Sequence, residues 1–293
     1  MDILITGSTG MLGQALMKES QQRHFQTTGL ASKNTDLNID ITDTDILVKK
    51  LKDIRPQVII NAAAIVSHKR CEENPEQATN TNAKAVSVLA EIAKDIGCYF
   101  IQISTDHFFT NDKDRKHDED HPVTLLNEYA RTKYEGEKFA LENPQALVVR
   151  TNIVGFRNFT PQQPSFIEWI IMNRKNRQPI TLFDDYFTSS IDITTFVCIL
   201  FDLFKQRPHG RLNIASQQVS SKKEFIEELC HEFQFDLDGA ITGSVKTLQT
   251  PMRAESLGLD VSQAESLLGC SLPDRHQVIA NLQIEYKALG YEL

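Results

Sequence analysis

The sequence lacks most of the features that would take it outside the ordinary α/β proteins. It holds one tryptophan and five cysteines, Cys71, Cys98, Cys198, Cys230 and Cys270. The cysteines are scattered, odd in number and form no Cys-x-x-Cys. Neither a disulfide framework nor a zinc site is expected, no metal is assigned, and reduced thiols in a cytoplasmic protein are the default. Long hydrophobic runs are also missing. The densest, residues 196–204, is too short to span a bilayer and contains Asp202. No signal peptide is read ahead of a first strand that begins at Asp2 or Ile3. Positive charge is in deficit, with 31 Lys and Arg against 39 Asp and Glu and a formal net charge of -8. Such a surface repels nucleic acid and acidic membranes, so neither is an expected partner. Any anionic ligand must be held by local groups. Internal repeats and low-complexity tracts are absent as well.

What is present is a strong alternation of strand-like and helix-like stretches. Residues 2–6 read as a buried strand, and Gly7-Ser8-Thr9-Gly10-Met11-Leu12-Gly13 follows before a helix over 14–20. Strand, glycine turn, helix is the context in which a glycine pattern signals a dinucleotide. The glycines let the backbone approach a pyrophosphate, and the helix N-terminus offers free N–H groups and a positive dipole end. A plain strand-to-helix turn is the competing reading. Further strands are expected at 25–30, 58–60, 99–103 and 146–150. The helices between them are expected at 44–54, capped by Thr42 or Asp43, and at 74–96. Asn61-Ala62-Ala63-Ala64 closes the third strand. Small residues there suit a flat ligand against the backbone, or equally close helix packing. Residues 111–121 read as a charged loop.

Two further motifs carry chemistry. Ser104-Thr105-Asp106 directly follows the 99–103 strand. Tyr129 stands four residues before Lys133 in a segment, 129–142, rich in helix formers, with Asn127 as its cap and Asn143-Pro144 as its stop. That spacing puts both side chains on one helix face a turn apart. A phenol ordinarily ionises near pH ~10, and a fixed ammonium nearby favours the phenolate. Alone, the spacing is more often two ordinary residues of an amphipathic helix. The glycine turn and the Ser-Thr-Asp strand end tip the balance.

Past Arg150 the alternation breaks down. Pro161, Pro164, Pro179, Pro208, Pro251 and Pro273 punctuate shorter elements. Helices are expected over 166–173, 193–204, 222–232 and 261–268, and a strand over 211–215. The predicted fold class is α/β. It comprises a Rossmann-type, doubly wound parallel sheet over residues 1–152, to which 190–215 returns. A smaller mixed lobe over 153–293 would bind substrate, with the cleft between them.

Together, and in this order, these motifs resemble the extended short-chain dehydrogenase/reductase superfamily. The chain looks most like the dTDP-4-dehydrorhamnose reductase group, well over residues 1–155 and loosely beyond. Gly7, Gly10, Gly13, Asp40-Ile41, Asn61 to Ala64, Asn82, Ser104-Thr105-Asp106, Tyr129 with Lys133, and Arg150-Thr151-Asn152 carry the likeness. The resemblance implies reduction of a nucleotide-linked 4-keto sugar by NAD(P)H. Tyr129 would exchange a proton with the sugar oxygen, Thr105 would bond that oxygen, and Lys133 would hold the nicotinamide ribose and tune Tyr129. Gly7, Thr9, Gly10, Met11, Leu12 and Gly13 would meet the pyrophosphate region. Asp40 and Ile41 would flank the adenine, and Asn61, Ala62, Ala63, Ala64 and Ile65 would line the cofactor beyond it. Asp106 and Ile153 would face the sugar. Ile153 stands where the group commonly has an aromatic residue, and His107 stands where it commonly has tyrosine, so the pocket wall differs. His107 also removes the Thr-Asp-Glu pattern of the dehydratases. It is more often a structural hydrogen-bonder than a catalyst.

Other expectations are weaker. Arg253, and less so Arg157, are candidates to meet an anionic part of the ligand, with a solvated surface arginine as the equal alternative for Arg253. The second strand leads into Ala31-Ser32-Lys33 with no acid, which favours NADP(H) over NAD(H), both accepted. Asp36, a few residues on, is the opposing feature. Two alternative functions share the same motifs. One is a cofactor-binding regulatory subunit like that of methionine adenosyltransferase, and the other is an NAD-dependent sugar-nucleotide epimerase. The oligomeric state stays open, a homodimer among the options.

Overall fold

The computed structural model describes residues 1–157, 164–248 and 251–291. It divides the chain into two compact units. The first comprises Met1–Thr105, Leu125–Arg150 and Val197–Leu212, and the second Asp106–Thr124, Thr151–Phe196 and Asn213–Leu293.

The first unit is built on a seven-stranded sheet. From one edge its order is Gly210–Asn213, Leu147–Arg150, Tyr99–Ile103, Val58–Asn61, Asp2–Thr6, Gln26–Ala31 and Leu37–Asn38. The pairings from Leu37–Asn38 to Leu147–Arg150 are parallel. The first strand lies at the point where the order reverses, because the chain adds strands to one side of it and then the other. The expected doubly wound parallel sheet is therefore present, and all carboxyl ends of these parallel strands share one edge. The central strands Val58–Asn61, Tyr99–Ile103 and Leu147–Arg150 are buried and mostly apolar, as burial on both faces requires, while the outer strands carry more polar residues. Leu4, Ile59, Phe100 and Val148 pack against Leu47 and Leu51 of helix Thr44–Ile54 and Leu89, Ala93 and Ile92 of helix Ala85–Ile96. Asp43 caps the former, accepting from the Ile46 N–H.

The segment expected as one helix over 74–96 is three pieces. Helix Pro75–Thr79 runs into a π-type turn at Asn80–Lys84 and continues as Ala85–Ile96. A short helix, His68–Glu73, precedes them.

The second unit has a mixed four-stranded sheet in the order Ser220–Ser221, Phe187–Thr188, Ser256–Leu259 and Lys116–His117. Its first pairing is antiparallel and its others parallel. Lys116–His117 lies inside the stretch read as a loop, because its partner strand is far away in sequence. Helices Phe166–Lys175, Lys222–Glu232 and Arg275–Ala288 bury Ile167, Ile170, Phe225, Leu229, Val278 and Leu282 in a second core. Capping boxes at Ser165 and Ser221, and a third at Asp274, start all three.

Candidate active site

The glycine turn follows strand Asp2–Thr6 and opens helix Met11–Gln22. Gly7 has φ +68°, and a Cβ there would lie 2.7 Å from the Ala63 nitrogen. A Cβ on Gly13 would lie 2.1 Å from the Gly7 carbonyl oxygen. Both positions therefore need glycine for close approach of backbone to backbone. The helix N-terminus is also unusual. Asp43, Asn127, Ser165, Ser221 and Asp274 each cap a helix with a side chain. Gly10, by contrast, provides no side-chain cap, and no acid stands in its first turn. A dipole end left with bare N–H groups is what an anion requires. Thr9 is exposed and Met11 and Leu12 are half-buried beside it.

At the end of the second strand, Ala31 is buried while Ser32 and Lys33 are exposed. The Gly29 N–H donates to Asp36 Oδ2 at 2.7 Å, and Ser8 Oγ lies 2.7 Å from Thr35 Oγ1. The 35–36 segment thus folds back onto the strand instead of projecting as a polar loop. Asp40 is exposed and Ile41 buried. The Asp40 carboxyl is held below its usual range by hydrogen bonds from the Thr42 N–H and hydroxyl. A cavity of about 640 Å³ is lined by Asp40, Thr42, Asn74, Glu76, Asn80 and Thr81, among others.

Asn61 is fully buried. Its Oδ1 accepts from Thr6 Oγ1 and from the Ala63 N–H, and its Nδ2 donates to Gln102 Oε1 at 2.7 Å. Its side chain ties three adjacent strands, and Ala62, Ala63 and Ala64, which follow it, are half-exposed. Ile65 is pinned by Asn82, whose Oδ1 accepts the Ile65 N–H at 2.8 Å and whose Nδ2 donates to the Ile65 carbonyl at 3.1 Å. The π-type turn is where Asn82 departs from its helix, as such bulges commonly do at functional sites. Gly136 makes room, since a Cβ there would lie 2.3 Å from the Asn82 carbonyl oxygen.

Helix Glu128–Leu141 is capped by Asn127, which accepts from the Ala130 N–H. Tyr129 and Lys133 are both buried on it. Tyr129 packs with Ile65, Cys71 and Ala78, and the His68 ring lies 4.7 Å from its ring. Lys133 Nζ donates to the Ile103 carbonyl at 2.7 Å. Ile103 ends the strand that Thr105 follows by two residues, so the lysine reaches the carboxyl end of that strand beside Thr105. The two strands that lead into the glycine turn and Thr105 are separated only by Val58–Asn61. The glycine turn, Tyr129, Lys133 and Thr105 thus share one edge of one sheet. Burial lowers the Lys133 pKa to about 8, opposed chiefly by the charge of Glu137. It remains largely an ammonium at neutral pH.

Glu137 is the residue that sequence reading missed. It is 0% exposed and one turn beyond Lys133. It accepts from Arg150 at 2.8 and 2.9 Å, from Ser104 Oγ at 2.6 Å and from Arg211 at 3.3 Å. The helix behind Tyr129 and Lys133 is thereby fixed to the strands carrying Arg150 and Ser104. Its i+4 spacing from Lys133 was the available signal.

The remaining predicted positions lie in the second unit. Asp106 is buried and accepts from Asn152 Nδ2 at 2.7 Å. Asn152 Oδ1 accepts from Ser190 Oγ at 2.7 Å, and Lys222 Nζ lies 3.3 Å from that hydroxyl. Lys222, also missed from sequence, is buried with its ammonium 4.5 Å from the Phe166 ring. Burial lowers its pKa to about 8, against the opposing field of Asp106. His107 Nε2 lies 3.8 Å from Asp106 Oδ1. Ile153 is half-buried in strand Ile153–Val154, which pairs with Ile191–Asp192. The Arg157 N–H donates to Glu168 Oε1 at 2.6 Å, and Arg253 is exposed.

Comparison with known proteins agrees with this architecture. A probable low-salt glycan biosynthesis reductase of Haloferax volcanii is 28% identical over 291 residues, covering 96% of this chain and 97% of that protein. The mouse methionine adenosyltransferase 2 subunit beta is 35% identical over 144 residues, 48% of this chain and 43% of that one. The crystal structure of a dTDP-4-dehydrorhamnose reductase from Bacillus anthracis in complex with NADP superposes with a TM-score of 0.87. It covers 97% of this chain and 99% of its own at 22% identity, a likeness that speaks to the fold. A family model described as the RmlD substrate binding domain matches residues 1–284, and the chain belongs to that family.

Proposed function

We propose that the protein reduces the 4-keto group of a nucleotide-linked sugar with NADPH or NADH. The observation that carries this reading is the shared sheet edge. It brings together an uncapped glycine-turn helix, a buried tyrosine–lysine pair and a threonine at a strand end. The fit to a dinucleotide rests on the backbone cradle, which a Cβ at Gly7 or Gly13 would fill. Gly10, Met11 and Leu12 would bind the pyrophosphate. Ala62, Ala63, Ala64 and Ile65 would lie along the cofactor, with Asp40 and Ile41 at the adenine end. The reduced nicotinamide supplies the hydride.

The chain's own residues handle the charge that hydride addition creates. Negative charge grows on the carbonyl oxygen, and the Tyr129 and Thr105 hydroxyls are aimed donors for it. Tyr129 gives that oxygen its proton, and the adjacent Lys133 ammonium favours the resulting phenolate. Lys133 would also hold the nicotinamide ribose. In the second unit, Asp106 and Ile153 would be the candidates for contact with the sugar, and Arg157 and Arg253 the candidates for contact with a diphosphate. NADP(H) would be the preferred cofactor, with exposed Ser32 and Lys33 as the residues that would hold its 2′-phosphate.

Tyr129→Phe tests the reading directly. It keeps the ring and removes the acid, so turnover falls by about 10²–10⁴-fold with cofactor affinity nearly unchanged. Parental turnover would discard the assignment. The likeness of the N-terminal half to the mouse adenosyltransferase subunit supports a second reading, a non-catalytic regulatory partner. It predicts cofactor binding with no turnover on any member of a keto-sugar panel.

A further inference from the structure

The segment Asp106–Thr124 belongs to the second unit, and neither the sheet edge nor the proposed reaction uses its histidines. Three of its side chains converge. One potential ligand atom from each of Asp112, His117 and His121 lies within 4.8 Å of the others. Asp112 Oδ2 is 3.3 Å from His117 Nε2 and 3.7 Å from His121 Nε2. A tetrahedral ion with ligand bonds of about 2.1 Å holds its ligand atoms roughly 3.4 Å apart, so the spacing is that of a binding site with one edge slightly open.

The hydrogen bonding adds to the spacing. His117 is 0% exposed, and its Nδ1 lies 2.7 Å from the Gly258 carbonyl oxygen. A carbonyl only accepts, so Nδ1 carries the hydrogen. In the neutral ring the Nε2 lone pair then points at the Asp112 oxygen, acceptor against acceptor. Either a second proton on the ring or a cation between the groups resolves that opposition. Donation of the far ring nitrogen to a backbone carbonyl is also the usual outer support of a metal-bound histidine.

The surroundings hold the three groups in place. The Asp112 N–H donates to Ser256 Oγ at 2.9 Å, on the strand that also supplies the Gly258 carbonyl. A Cβ at Gly258 would lie 2.5 Å from the Arg115 carbonyl oxygen, so glycine permits the approach. The Phe109 ring stacks on His117 with centroids 4.1 Å apart, and His121 meets His117 edge to face at 4.6 Å. Arg115 Nη1 lies 3.9 Å from Asp112 Oδ1 and is more than half exposed, so it is a weak competitor.

From this arrangement we propose that Asp112, His117 and His121 form a binding site for a divalent transition-metal ion of the zinc type. Two imidazoles among three donors select zinc, cobalt or nickel over magnesium or calcium, which take oxygen ligands. The half-buried Asp112 and His121 leave the remaining coordination open to water. None of the five cysteines takes part. The ion joins three points of the segment that begins at Asp106, which hydrogen bonds of Asp112 and His117 tie to strand Ser256–Leu259, and it is independent of the reductase reading.

The test uses the full chain stripped with a chelator and titrated with Zn²⁺ against a chromophoric competitor, and separately with Co²⁺ by visible absorption. Cys270→Ser, which removes the exposed thiol, serves as the reference background. One Zn²⁺ per chain, a tetrahedral-type Co²⁺ band, and a rise in melting temperature with Zn²⁺ are expected. His121→Ala and Asp112→Asn, both at partly exposed positions, should weaken binding by at least about 10-fold. Folding of the variants is checked by their melting curves without metal. Absence of saturable binding in the reference protein, or equal affinity in His121→Ala, would overturn the site and leave a hydrogen-bonded histidine pair.

Discussion

Glu137→Gln isolates the buried ion pair behind the catalytic helix. Glu137 and Arg150 are 0% and 1% exposed, joined at 2.8 Å. Removing the anion leaves the guanidinium in the sheet without its neutralising carboxylate. Breaking such a pair costs about 3–5 kcal/mol, more than the coulombic gain suggests, because the surviving charge stays desolvated. Arg211, about a quarter exposed, adds little, since water already screens it. Replacing both charges, in Glu137→Gln with Arg150→Met, should recover much of the loss. The assay is urea unfolding of the parent, both single variants and the double variant. A single-variant loss below about 1 kcal/mol would refute the reasoning, as would strict additivity in the double. The pair also touches the chemistry. The Glu137 charge raises the Lys133 pKa against the burial that lowers it to about 8. Without that charge the pKa falls further. Activity that needs the ammonium is lost as pH rises through that pKa, so the alkaline limb of kcat should move to lower pH in Glu137→Gln.

Three other consequences are open to measurement. Gly13→Ala puts a Cβ 2.1 Å from the Gly7 carbonyl, so it should lose cofactor binding and stability together, seen by fluorescence titration and melting. Lys222 has its pKa lowered to about 8 by burial, so between pH 8 and 10.5 the unfolded chain binds the extra proton and stability rises with pH. Lys222→Met removes that rise. The parent should gain about 2 kcal/mol relative to the variant between pH ~7.5 and ~9.5 by urea unfolding, and a constant difference would contradict the assignment. Asp36→Ala should shift preference towards NADPH, because its carboxylate lies against the second strand. Lys33→Ala should weaken NADPH alone, most at low salt. Unchanged ratios in both variants would remove these residues from cofactor choice.

The legible parts of the chain were those whose signal is local. Helix Glu128–Leu141 was read within a residue, because Asn127 caps it and helix formers fill it. The glycine turn and the apolar parallel strands were legible for the same reason. Helix His68–Glu73 was missed because its charged sequence has no apolar period, although Ser67 accepts the Arg70 N–H as a cap. The π-type turn at Asn80–Lys84 left no local mark; its cause is Asn82 reaching Ile65 and Gly136 making room. Strand Lys116–His117 depends on Ser256–Leu259, over a hundred residues on. Helix Arg275–Ala288 was overlooked despite the Asp274–Gln277 capping box and the apolar series Val278, Ile279, Leu282 and Tyr286. Glu137 and Lys222 look like surface charges in the sequence, and only long-range packing buries them.

The central claim, a Tyr129-dependent reduction of a nucleotide-linked 4-keto sugar, is tested most directly by one measurement. Loss of NADPH absorbance is followed across a panel of nucleotide-linked 4-keto sugars with the parent protein and Tyr129→Phe side by side. Sugar-dependent NADPH consumption by the parent is expected, with a loss of about 10²-fold or more in the variant. No consumption with any sugar, or equal rates in the two proteins, would contradict it.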